Sequence, residues 1–221
     1  MGHRVVCVSR VTAAGGEAVG QSVASHLGFR YVDDEVISLA AEHAGVDEAA
    51  LESVEHHQGL FARVMDALFD RPVGAESYFT RAARGYYHEG IKPSVAPPAE
   101  ELRRLIQHAI LEIARRGSAV IGAHAASMAL KGRPDVLRVH VTASEATRVR
   151  RLWLANMLIS EDEYAKAIAE SDGQREKYLA RFYDVHAELP THYDLVINTD
   201  VLDVDQAVAA VVAAATTEPG A

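Results

Sequence analysis

The sequence predicts an α/β protein built on a five-stranded parallel sheet with helices on both faces. Three observations carry this. Five short apolar runs alternate with helical patterns. The first 35 residues read strand, glycine-bearing turn, helix, strand. The 221-residue length suits one domain, or one core domain with an inserted lobe.

The elements follow in order. Val5-Val6-Cys7-Val8 is a β-branched run of the kind buried on both faces of a parallel sheet. Ser9 to Gly16 is a turn of small residues. Val19, Val23 and Leu27 then recur on one helical face, with Gly28 at the expected stop. Phe29 to Val32 is the second strand, ending at Asp33-Asp34. Asp33 or Asp34 caps a helix toward Ala44, and Asp47 caps another running to about Leu68. Residues 70–99 differ, holding Pro72, Pro93, Pro97 and Pro98 among glycines, tyrosines and the basic Arg81, Arg84 and Lys92. They read as a lobe or lid, or as a surface excursion packed by its own aromatics. A helix starts at Pro98 and closes at Arg115-Arg116-Gly117. Ser118 to Gly122 and Val136 to Val141 are strands three and four. Thr142-Ala143-Ser144-Glu145 caps a helix, another starts at Ile159-Ser160-Glu161, the last begins at Asp203 or Val204, and Tyr193 to Asn198 is the fifth strand.

Composition narrows the functions. Lys and Arg number 22 against 31 Asp and Glu, leaving −9 with no basic run. A duplex-binding surface is not expected, because phosphate neutralisation needs clustered cations. Cys7 is the single cysteine, so no internal disulfide forms, which fits a reducing compartment. It reads as a small apolar strand residue. No run approaches the ~18 apolar residues of a membrane span. A cytoplasmic protein is expected, with no membrane partner. The 11 histidines show no ligand spacing, so no metal site is read from protein ligands alone.

Ligands of open parallel sheets bind at the carboxyl ends of the strands, where the strand order reverses. That gathers Ser9 to Gly16, Asp33, Gly122 to Ala125 and Thr142 around one crevice. A glycine turn entering a helix suits an anion, since free N–H groups and the positive helix end favour phosphate. The full G-x-x-x-x-G-K-[ST] pattern is absent, because Glu17 and Ala18 follow Gly16 and no lysine does. The plain alternative is a tight strand–helix connection. Asp33 could hold ribose hydroxyls, a water-held magnesium or an acceptor, or could cap a helix. The glycine spacing does not fit the dinucleotide pattern G-x-G-x-x-G. Arg148, Arg150, Arg151, then Asp172, Arg175 and Tyr178, give a helical region suited to neutralising phosphates, or a solvated salt-bridged face.

The order of signals resembles the cytidylate kinase-like family. Its members open with I-S-R-E-x-G-S-G-G-R and L-G-x-x-Y-Y-D-K-E-L-I. Here the matching stretches are Val6-Cys7-Val8-Ser9-Arg10 with Gly15-Gly16, and Leu27-Gly28-Phe29-Arg30-Tyr31-Val32-Asp33-Asp34-Glu35-Val36-Ile37. The resemblance resumes at Ala119 to Gly122, and again at Arg148-Val149-Arg150-Arg151. It continues at Ser171-Asp172-x-x-Arg175-x-x-Tyr178 and Tyr193 to Thr199. It implies a three-layer P-loop kinase-like fold with a helical acceptor and lid lobe. Residues 46–98 would form the acceptor lobe and residues 159–192 the lid. It further implies MgATP as co-substrate and a nucleoside monophosphate acceptor, with CMP or dCMP favoured.

On that resemblance, the catalytic set is Arg10, Asp33, Asp172 and Arg175. Ser9, Thr12, Ala13, Ala14, Gly15, Gly16 and Arg148 would bind nucleotide. Arg81 and Arg84 would hold the acceptor phosphate. The expected partners are small-molecule nucleotides, with a homodimer left open. The chain also departs from the pattern. Val11, Ala13, Ala14 and Glu17 replace an acid, a glycine, a serine and a basic residue, and Ala123 replaces the arginine of G-R-G-A. Most of these changes remove a donor, a flexible position or a positive charge. The alternative reading is therefore a catalytically degenerate relative that binds a nucleotide or a protein.

Overall fold

The computed structural model describes residues 2–33, 36, 39, 99–122, 125–157 and 159–217. The expected helices between residues 34 and 68, apart from Val36 and Leu39, and the lobe at 70–99, apart from Ala99, lie outside these residues, as do Arg81, Arg84, Ala123 and His124.

Strand β1 (Val5–Arg10) leads through the glycine turn into α1 (Gly16–Leu27) and β2 (Arg30–Val32). Helix α2 (Ala99–Arg116) precedes β3 (Ala119–Ile121), and a single turn, α3 (Ala126–Ala129), follows it. Then come β4 (Val136–Thr142), α4 (Glu145–Asn156), α5 (Glu161–Tyr183), β5 (Leu195–Asn198) and α6 (Val204–Thr216). The sheet is five-stranded, in the order β2-β3-β1-β4-β5, and every pairing is parallel.

Strand alternation makes this a three-layer molecule. Val5, Cys7 and Ile121 face Ile106, Ile110 and Ile113 of α2. Their chain neighbours Val6, Val8 and Val120 face Val19 and Val23 of α1 and Val208 and Val211 of α6. Side chains of successive strand residues point to opposite faces, so an unbroken apolar run serves both layers. Burial pushes the Cys7 thiol up to about 12, so it stays an uncharged core group.

A third cluster joins α4 to α5. Val149 and Leu152 pack on Tyr164, Ala167 and Ile168, and Ala13 of the glycine turn packs against this cluster. Helix α5 is thereby anchored beside the turn. Its start is fixed by a capping box between Ser160 and Glu163.

Three strands start later than the residue pattern suggests, and β2 begins at Arg30 rather than Phe29. Gly117 and Ser118 both adopt positive φ, 71° and 51°, so β3 begins at Ala119 rather than Ser118. Pro190–His192 form a 3₁₀ turn, and β5 begins at Leu195 rather than Tyr193.

Candidate phosphate-binding site

Strand β1 is central, with β3 on one side and β4 on the other, so the strand order reverses at its carboxyl end. The crevice expected there contains the turn from Arg10 to Gly16. Gly15 is the N-cap of α1 in a left-handed conformation, φ 79°, and offers no capping side chain. The first-turn amides of α1 have no intrahelical acceptor. They form an uncapped, positively polarised end suited to phosphate oxygens. Ala13 also has positive φ, 62°, where the family pattern carries glycine. A non-glycine residue there costs about 1–2 kcal/mol, which the surrounding contacts must offset.

Arg10 leaves the end of β1 toward the end of β2. Its Nη2 donates to Asp33 Oδ2 at 3.1 Å, and its Nη1 donates to the Gly122 carbonyl. The Tyr31 hydroxyl donates to the same Asp33 oxygen at 3.4 Å. Arg10 and Asp33, expected in one crevice, are thus in direct contact. Gly16 and Gly122 give this arrangement its room. A Cβ on Gly16 would lie 2.5 Å from Arg10 Cβ, and one on Gly122 would run into the Tyr31 hydroxyl.

Arg175 of α5 reaches the same strand end from the other side. Its Nη2 donates to Ser9 Oγ at 2.5 Å. Its Nε and Nη2 also grip Glu188, at 2.8 and 2.7 Å. The Tyr193 hydroxyl donates to Glu188 and lies 3.2 Å from Ser9 Oγ. His140 stacks on Tyr193 with ring centroids 4.8 Å apart. Burial alone would raise Glu188, but the bonds from Arg175 and Tyr193 prevail and hold it at about 2. Burial and the Glu188 charge push the Tyr193 phenol up to about 12. Burial lowers His140 below its ordinary value, against the pull of Glu188.

Asp172 and Arg175, one helical turn apart, take different partners. Asp172 receives a bidentate pair from Arg148 of α4, at 2.9 and 2.6 Å. Arg148 is only 6% exposed, so this pair ties α4 to α5 beside the loop. Thr12 Oγ1 lies 2.7 Å from Ser171 Oγ. The loop therefore touches α5 directly. On its far side, Arg151 and Thr199 bond the carbonyls of Ala13 and Ala14.

Arg10, Arg175 and Arg148 each carry a carboxylate partner. The site concentrates positive groups within a net-acidic chain and keeps each compensated. Residue types and spacing did not single out Glu188 or Thr199. Both are ordinary in type; Thr199 acts on Ala14 far up the chain, and Glu188 acts on Arg175 and Tyr193.

Magnesium fits at Asp33. The ion is held by one or two carboxylates, phosphates and several waters rather than by a full protein cage. Asp33 uses Oδ2 for Arg10 and Tyr31. Its Oδ1 remains for a metal-bound water. Among the described residues, no group of three or more His, Cys, Asp and Glu could hold an ion unaided.

The model of the cytidylate kinase-like family matches residues 5–201. No curated protein matches the sequence. Among solved structures, an uncharacterized protein from Eubacterium ventriosum superposes with a TM-score of 0.62 at 15% identity. That match covers 95% of this chain and 96% of the other. Shikimate kinase from Bacteroides thetaiotaomicron gives a TM-score of 0.49 at 16% identity, over 94% and 95% of the two chains. Shikimate kinase from Acinetobacter baumannii gives 0.46 at 12% identity, over 94% and 90%. The family match over residues 5–201, which spans all five strands and the glycine loop fed by the central β1, places this chain in the cytidylate kinase-like family, with a P-loop kinase-like fold.

Proposed function

We propose that this chain is a nucleotide-dependent phosphotransferase that moves the γ-phosphoryl group of ATP to a nucleoside monophosphate, CMP or dCMP first, or to another small acceptor. One observation carries the reading. Arg10 and Ser9, the residue that Arg175 bonds, are adjacent at the end of β1, where the chain enters an uncapped glycine loop. Phosphoryl transfer is mostly positioning and charge neutralisation, and arginine forks supply both.

The residues divide the work. The Gly15–Gly16 turn takes the β- and γ-phosphates on its amides. Arg175, with the two N–H groups of Nη1 unused by Ser9 and Glu188, neutralises the transferred group. Arg10 faces the acceptor side and orients Asp33, which holds a magnesium-bound water or the acceptor. When bound, magnesium would offset phosphate charge. Asp172 and Arg148 keep α5 docked, and residues 159–192 serve as the lid. Residues 46–98, with Arg81 and Arg84, would form the acceptor lobe.

A second reading has its own observation. Glu17 and Ala18, not a lysine, follow Gly16, and the arginines of the crevice are already paired with carboxylates. A relative that binds nucleotide without turnover would look the same.

Incubation with MgATP and a panel of monophosphates and small acceptors separates the two. The phosphotransferase reading expects one phosphorylated product. It also expects Arg175→Ala to lower turnover by about 10²–10³-fold, the usual cost of one lost charge-stabilising donor. No product with any acceptor at micromolar enzyme leaves the binding-only reading standing.

A further inference from the structure

The carbonyl side of the glycine loop is gripped by two side chains that phosphate contact itself does not require. Thr199, 5% exposed, stands just beyond β5, and its hydroxyl donates to the Ala14 carbonyl at 2.8 Å. Arg151 of α4 donates from Nη1 to Thr199 Oγ1 at 2.9 Å and to the Ala13 carbonyl at 3.3 Å. Its Nη2 donates to the Thr199 carbonyl at 2.5 Å. The Thr199 hydroxyl therefore accepts from a cation and donates to the loop, and such chained bonds strengthen each other.

The peptide unit turns this grip into an orientation. Across a planar trans peptide, the C=O of one residue and the N–H of the next point in opposite directions. No cis peptide occurs among the described residues. An Ala14 carbonyl held on Thr199 sends the Gly15 N–H to the opposite side. An Ala13 carbonyl held on Arg151 does the same for the Ala14 N–H, which donates to the Val11 carbonyl at 3.1 Å. The loop is also where Ala13 keeps positive φ without being glycine.

We infer that Arg151 and Thr199 are positioning residues. They lock the peptide planes of Ala13 and Ala14 from behind, so that the Gly15 amide is preset for a phosphate oxygen of a nucleoside triphosphate. A loop that has lost the glycine and serine of its family pattern is thereby kept in an anion-binding shape. The inference rests on the phosphate reading of this loop.

Calorimetric titration of inorganic tripolyphosphate and of MgATP into the full chain tests it, alongside thermal melts. Thr199→Ser keeps the hydroxyl, and Thr199→Val removes it at similar size. Arg151→Met removes the cation and keeps the stem. The expected result is wild-type affinity for Thr199→Ser. A loss of about tenfold or more is expected for folded Thr199→Val and Arg151→Met. In wild type, amide exchange at Gly15 should slow on saturation with tripolyphosphate, a readout that needs no variant. Equal affinity of folded Thr199→Val and wild type overturns the clamp alone, as does weakening in Thr199→Ser or an indifferent Gly15 amide in a binding-competent wild type. A wild type that binds neither ligand overturns the phosphate reading, and the clamp with it.

Discussion

Glu188 shows how one side chain can set the state of another. Its carboxylate is largely buried, which taken alone would favour the protonated form. Arg175 and Tyr193 reverse that and hold it at about 2, against an ordinary 4.5. A depressed acid contributes stability that is complete above its unfolded value and is lost as pH falls through its folded one. The window here runs from about 4.5 down to about 2, and the contribution is about 3 kcal/mol. Denaturant melts across that window should show wild type losing stability with falling pH, and Glu188→Gln losing distinctly less. Parallel pH profiles of the two proteins would contradict the assignment. At neutral pH, Glu188→Ala should cost ~3 kcal/mol, because it leaves the Arg175 charge without its partner. None of this was legible in sequence. A glutamate in a connecting segment carries no spacing signal, whereas Arg175 did, through Ser171-Asp172-x-x-Arg175.

The glycine loop and its helix act as one element. Arg10 lies along the surface of Gly16, where the fold leaves no space for a Cβ. Placing a lysine at Gly16 is therefore not a neutral change. Gly16→Lys should destabilise the protein by at least the 1–3 kcal/mol typical of overpacking. It should also displace Arg10 from Asp33 and lower MgATP affinity, both checked by thermal melt and calorimetry. A stable Gly16→Lys protein with tighter MgATP binding would show that Arg10 yields freely. Local chemistry predicted the ends of elements well. Gly28 closes α1 in a left-handed conformation, and Ser144, Ser160 and Asp203 cap α4, α5 and α6. It missed the start of β3, where Gly117-Ser118 turns, and the short α3. It also could not reveal the Thr199–Ala14 bond, which joins positions 185 residues apart.

For the whole molecule, alternation of strands and helices predicted the layers, because each strand run is apolar on both faces. The order β2-β3-β1-β4-β5 came only from the structure. That order is what brings Ser9, Arg10, Asp33, Arg175 and Glu188 together from both ends of the chain. The proposed function requires this junction to take the phosphates of a nucleotide. Thermal melting of the full chain with MgATP, MgGTP, CMP, dCMP, UMP and AMP addresses it most directly. A ligand at about 100 times its Kd adds ~2.7 kcal/mol, and each kcal/mol is worth roughly 2–4 °C in a domain of this size. The melting temperature should rise by about 5–11 °C with MgATP and rise separately with one monophosphate. An unmoved melting temperature with every nucleotide at millimolar concentration would contradict the proposed function.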